Sequence, residues 1–227
     1  MKEKKSLYAG FALVGCFVLW TALVRTMDVR PIGPGGSAVG FASLNGWFHH
    51  FTGVHMGLYI VTDWLGLVPV FCCTFFAVIG FCQLLKRRSF LRVDADILLL
   101  GGHYLLVILA SLLFELYPIN YRPVLIGGVL EASYPSSTTL LVACVMPTVS
   151  FQARRRIKAA TFRSVIPVCS DVFSLLMIIG RTAAGVHWLT DIIGALLLSA
   201  GLCLIYRSFV LLLEGKTSQR RSQHGTP

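Results

Sequence analysis

Six apolar runs alternate with short polar stretches along this chain, at about 7–24, 55–85, 97–117, 136–151, 164–180 and 190–213. Runs of that length without sustained polarity predict helices that cross a bilayer rather than core helices of a soluble domain. The second run opens near His55 or Leu58 and is interrupted by Asp63 and Pro69, which predicts a kinked or tilted helix. Between the first two runs lies a Gly- and Pro-rich connection, 28–53, long for a loop. Its segment 41–51 is an amphipathic patch expected to lie at the membrane interface, with Trp47 as aromatic anchor. The expected fold is all-α: a polytopic membrane helical bundle of six transmembrane helices, one domain over 1–215, followed by a basic tail over 216–227 expected to be disordered.

Composition agrees with this reading. Of 227 residues 56% are apolar and only 13% charged, and the mean hydropathy is +0.74. A net charge of +10 could suggest nucleic acid, but the lysines and arginines cluster in short loops beside the apolar runs, where they act as an orientation signal. The partner implied is the lipid bilayer, not nucleic acid, and oligomeric state leaves no signature. The N-terminus, 86–92, 154–163 and the tail are all basic, and six spans place all four on one side. That side is expected to be cytoplasmic in a multi-pass cell-membrane protein, so the loops with Arg30, Arg122 and Arg181 face outward. No cleavable leader is expected, because no small-residue site follows the first run. Seven cysteines, scattered mostly inside apolar runs, show neither a disulfide framework nor metal-like spacing and read as packing residues.

The chemistry concentrates in Gly180 to Asp191, GRTAAGVHWLTD. His187 and Asp191 are four apart and share one face if the chain is helical from Trp188. A carboxylate there can hold one ring nitrogen and leave the other free as nucleophile or base. Arg181 can reach the same point, and its planar fork suits a phosphate. The plainer alternative makes Arg181 and Asp191 membrane-edge anchors and His187 an incidental interfacial residue. Two more outward segments join this one: Tyr121-Arg122-Pro123 and Tyr134-Pro135-Ser136-Ser137-Thr138. Ser136, Ser137 and the amides after them open a helix, whose N-terminus favours an anion. Arginines from two loops, a serine turn and a histidine with a carboxylate together make a phosphate site.

Other polar residues inside the runs carry less. His49, His50 and His55 invite a metal reading, but no carboxylate or cysteine falls at a helpful spacing in that loop, and no metal is expected. His103 reads as an interhelical polar group and Asp63 as a helix-end partner, whereas Asp171 has no evident role.

In the order Arg122-Pro123, Pro135-Ser136, then Arg181 with His187 and Asp191, the chain resembles the type 2 phosphatidic acid phosphatase superfamily. That family reads K-x6-R-P, P-S-G-H and S-R-x5-H-x3-D on a six-helix membrane core. The resemblance implies that His187 is a nucleophile forming a phosphohistidine, oriented by Asp191. Arg122, Ser136 and Arg181 would cradle the phosphoryl group, with no metal or cofactor. The implied substrate is a phosphorylated membrane lipid, a phosphate or diphosphate, with an isoprenoid diphosphate such as undecaprenyl diphosphate favoured. Four family positions differ: Glu115 stands at the lysine, Ser137 at the glycine, Thr138 at the second-motif histidine and Gly180 at the serine. That histidine is the family's general acid, a role typically worth 10²–10⁴-fold, or roughly 3–5 kcal/mol. Threonine cannot fill it near neutral pH. Three readings stay open: a diphosphate whose good leaving group tolerates the loss, Glu115 as replacement acid, or a site that only binds or carries phosphorylated lipid. A phosphotransferase is the remaining alternative.

Overall fold

In the computed structural model residues 1–224 are described, with side chains through residue 215, so the basic tail expected over 216–227 lies outside the fully described residues. The helices are α1 (Lys2–Thr26), α2 (Ala42–Thr52), α3 (Met56–Leu65), α4 (Leu67–Arg87), α5 (Ala95–Leu116), α6 (Ser137–Arg156), α7 (Ala160–Ala183) and α8 (Leu189–His224). Two short 3₁₀ turns, Pro34–Gly36 and Phe90–Arg92, and isolated bridges of extended backbone accompany them among the described residues. The amphipathic patch at 41–51 falls in a helix, α2. The interrupted second run is the pair α3–α4, broken at Gly66. Pro69 has no N–H to give the Leu65 carbonyl, and its ring crowds that same carbonyl, so the helix yields there. The Gly66 N–H closes α3 by bonding the carbonyls of Thr62 and Asp63, both at 3.0 Å.

Five helical stretches are long and apolar enough to cross a membrane by themselves: α1, α3–α4, α5, α7 and the first part of α8. The sixth expected span, α6, is the least apolar of the long helices because it is the innermost. It packs against α4, α5, α7 and α8, so its polar side chains meet protein rather than lipid. Thr148 lies 2.7 Å from the Tyr104 hydroxyl, Ser150 donates to Asp171 at 2.8 Å, and Gln152 donates to the Tyr206 hydroxyl at 2.7 Å. A helix that satisfies its polar groups inside the bundle needs less hydrophobicity than one that faces lipid. The outward faces of α4, α5 and α7 are instead bare leucine, valine, isoleucine and phenylalanine.

The longest seam joins α1 to α8, antiparallel. Its closest point is Gly10 against Gly201: a Cβ on Gly201 would stand 3.0 Å from the Gly10 carbonyl oxygen and 2.8 Å from Val14. Small residues allow that approach. One end of the bundle collects the basic turns, tied by Arg156 to Asp96 (2.7 Å) and Asp94 (3.2 Å), by Arg87 to Asp94 (2.8 Å) and by Arg155 to Glu214. The opposite end gathers the start of α3, the ends of α5 and α7, the starts of α6 and α8, and the loops between them.

Candidate active site

The segment between α5 and α6 folds back on itself as a short hairpin, bridged at Tyr121–Ala132 and Ile126–Val129. The Arg122 N–H donates to the Glu131 carbonyl at 3.0 Å, and its side chain pairs with the Glu131 carboxylate at 2.9 Å. Arg122 thus projects inward and is buried. Arg181 sits in the last turn of α7, 1% exposed, and reaches α3: its guanidinium lies 3.4 Å from the Thr62 hydroxyl and 3.6 Å from Asp63, and stacks 4.9 Å over the Tyr59 ring. Tyr59, Thr62 and Asp63 are spaced i, i+3, i+4 and so share a face of α3. A Cβ on Gly180 would press within 2.8 Å of Thr62, which accounts for glycine where the phosphatidic acid phosphatase pattern has serine.

His187 lies in the turn between α7 and α8. Gly185 makes that turn possible: its φ is +67°, and a Cβ would fall 1.8 Å from the Gly53 carbonyl oxygen. The His55 N–H ties the same turn to the Ala184 carbonyl at 3.0 Å. His49 packs its ring 5.4 Å from Trp188, whose indole N–H donates to the Tyr121 carbonyl at 2.7 Å. Two of the three clustered histidines therefore brace the turn.

The His187 ring is buried, and its Nε2 faces both arginines, 3.3 Å from Arg122 Nη1 and 3.4 Å from Arg181 Nη2. Its Nδ1 lies 3.2 Å from the Ser133 carbonyl oxygen and 3.8 Å from Asp191 Oδ2. The carbonyl can only accept, so Nδ1 carries the proton and Nε2 a lone pair. Burial holds the imidazole well below its ordinary 6.5, at about 4; Arg122 and Arg181 push the same way and Asp191 opposes them. The ring is neutral at pH 7.

Asp191 is fully buried and has a second task. It is the third residue of α8, and its Oδ2 accepts the Trp188 N–H at 2.9 Å, half of a capping box. Its Oδ1 accepts from Asn120 at 3.3 Å, and its backbone carbonyl accepts the Ser136 N–H at 3.3 Å. Asn45 adds a further layer, donating to Thr190 Oγ1 at 2.9 Å and to the Gly40 carbonyl at 2.7 Å. Three chain segments are thereby locked around the start of α8.

Ser136 stands at the N-cap position of α6 and is buried, its hydroxyl 3.0 Å from that of Thr139 and making no cap bond to a backbone N–H. Ser137 is exposed and lines a cleft of about 50 Å³ with Arg122, His187, Glu131, Ser133 and Glu115. Thr138 turns to the other side, its methyl close to Gly66 at the α3–α4 break. The structure therefore brings Arg122, Ser137, Arg181, His187 and Glu115 together. Asn120, Glu131, the Ser133 carbonyl and Tyr59 escaped the sequence reading, since no spacing marks them; only the i, i+3, i+4 face of α3 was available as a signal. Two guanidiniums beside one neutral imidazole, with Arg181 Nε buried and without a hydrogen-bond partner, form a cationic seat for a compact anion next to a nucleophilic nitrogen.

Residues 116–213 match the sequence profile of the PAP2 superfamily, a stretch that holds every motif residue here except Glu115. No curated protein matches the chain. A crystal structure described as the first transmembrane PAP2 type phosphatidylglycerolphosphate phosphatase from Bacillus subtilis is similar in fold, with a TM-score of 0.63 at 19% identity, covering 89% of this chain and 96% of that one.

Proposed function

Since residues 116–213 match the PAP2 superfamily profile and the fold is similar to that of a PAP2-type phosphatase, we propose that this chain is a membrane phosphatase of that superfamily, which removes phosphate from a lipid phosphate or diphosphate through His187. The observation that carries the reading is Nε2 of a buried, neutral imidazole held between two buried guanidiniums from separate elements. An incoming phosphoryl group takes both guanidiniums onto its non-bridging oxygens, which uncovers the Nε2 lone pair. Nε2 then attacks phosphorus in line, the N–P bond forms and the bond to the leaving oxygen breaks. The Nδ1 proton stays on the ring, held by the Ser133 carbonyl, while Asp191 offsets the positive charge that the ring acquires. Water hydrolyses the phosphohistidine, releasing inorganic phosphate and restoring the neutral ring. The arginines neutralise the transferring group, a task that a metal ion performs in other phosphatases.

The leaving group decides the substrate. Thr138 has no acid to give and faces Gly66, whereas Glu115 lines the cleft. A diphosphate, whose leaving group is a phosphate monoester, needs a proton least, so isoprenoid diphosphates are favoured over alkyl monoesters such as the Bacillus phosphatase's phosphatidylglycerolphosphate. The cleft lies at the end of the bundle away from the basic turns, so the reaction takes place at the outer face, with both termini cytoplasmic.

The test is phosphate release by detergent-purified protein from lipid mono- and diphosphates, together with acid quench and detection of acid-labile, base-stable phosphoprotein. Wild type forms it and His187→Ala does not; full turnover in His187→Ala removes the mechanism. The same missing acid favours a second reading, a protein that binds lipid diphosphates without turning them over. Arg122- and Arg181-dependent binding with no phosphate release from either class would establish it.

A further inference from the structure

We infer that His103, Cys144 and Cys203, in the middle of the bundle, form a binding site for one thiophilic metal ion, with zinc(II) the best fit by charge. The three residues come from α5, α6 and α8, and their ligand atoms all lie within 4.8 Å of one another. Zn–S bonds of about 2.3 Å and Zn–N bonds of about 2.0–2.1 Å need ligand atoms roughly 3.5–4 Å apart, so small side-chain adjustments close the site. Little is lost in that adjustment. Cys203 makes only weak sulfur contacts, 3.4 and 3.5 Å, to the carbonyls of Cys144 and Ala143, and His103 Nε2 stands 3.4 Å from the Cys144 carbonyl. The rings of Tyr206 and Tyr104, at 5.4 and 5.7 Å, flank the imidazole.

Charge favours the same conclusion. Each thiol gives up its proton as it ligates, so one zinc ion with two thiolates and a neutral imidazole sums to zero. A neutral complex suits a site where isolated charge is costly. The Cys144 carbonyl or a water can fill the fourth tetrahedral position. Cys203 borders a cleft of about 580 Å³, also lined by Thr148, Ser150, Asp171 and Arg207, which gives the ion and the released protons a route and the Asp171 carboxylate a place on it. The ion would clamp α6 and α8, the two helices whose first turns carry Ser137 and Asp191. The sequence could not suggest this, because the three ligands are 41 and 59 residues apart along the chain.

Reduced, full-length protein in detergent is titrated with cadmium as the spectroscopic probe and with zinc by equilibrium dialysis. The expected result is one zinc per chain and a cadmium–thiolate charge-transfer band. Cys144→Ala and Cys203→Ala each reduce the band by about half or more, and Cys72→Ala/Cys73→Ala leaves it unchanged. His103→Gln keeps both thiolates and weakens zinc binding by about tenfold or more. X-ray absorption on zinc-loaded wild type, which needs no variant to fold, reads two sulfur neighbours and at least one nitrogen. The inference is overturned by a wild type without the band, by a band at full height in Cys203→Ala, by a zinc shell without sulfur, or by a Cys144–Cys203 disulfide that re-forms in place of metal uptake.

Discussion

At the scale of the residue, His187 is set by what surrounds each nitrogen. A neighbouring carbonyl fixes the proton on Nδ1, and two guanidiniums lie against Nε2. Because the folded ring titrates at about 4 instead of 6.5, the unfolded chain binds a proton in that window that the folded chain refuses. Stability contributed by this site is therefore complete above pH 6.5 and is lost as pH falls toward about 4. The same displacement keeps the nucleophile neutral in mild acid. The acid limb of kcat/KM should accordingly fall near pH 4, and a limb at 6.5 would mean that the ring is not buried as described. A second prediction concerns the missing acid. With Thr138 in the wild type, diphosphates and aryl phosphates should turn over at least 10²-fold faster than alkyl monoesters, to the order of a general acid's worth. Thr138→His combined with Ser137→Gly should raise monoester turnover more than diphosphate turnover if the longer imidazole swings from the Gly66 side into the cleft; no change in either would mean that position 138 stays turned toward Gly66. Glu115→Gln should slow only the poor leaving groups if Glu115, which lines the cleft, supplies the proton; equal slowing of both classes would deny it that role.

At the scale of the element, helix ends and crossings place the chemistry. Asp191 belongs both to the cap of α8 and to the surroundings of His187, so a substitution there acts on structure and on the reaction together. Asp191→Asn keeps a cap acceptor but loses charge, and it should retain some activity where His187→Ala has none. The α1–α8 crossing holds α8 in register. Gly201→Val would drive methyl groups into the Gly10 carbonyl and Val14. Overpacking of this kind costs about 1–3 kcal/mol, and it should appear as a lower thermal midpoint in detergent with kcat largely intact in the protein that stays folded. An unchanged midpoint would mean that the seam has slack.

At the scale of the whole molecule, the basic turns and the cleft occupy opposite ends of the bundle. In a cysteine-free background, Gly128→Cys should react with an impermeant thiol reagent in intact cells and Arg155→Cys should not; the reverse would place the cleft inside. The sequence by itself determined the helical bundle, the alternation of basic and motif loops, the amphipathic character of the patch at 41–51 and the break near Pro69. Each of these follows from local hydrophobic period, charge and proline chemistry, and membrane spans must satisfy their backbone within themselves. It also displayed Arg122, Arg181, His187 and Asp191, because their spacing lies within short segments. Only the tertiary structure decided that the nearest partner of His187 Nδ1 is the Ser133 carbonyl, with Asp191 farther away, and that Asn120, Asn45 and Tyr59 complete the surroundings. The same holds for Thr138 pointing at Gly66 and for His103 meeting two cysteines. These are contacts between residues tens to more than a hundred positions apart, fixed by how helices cross and at what distance. No periodicity along one segment encodes that.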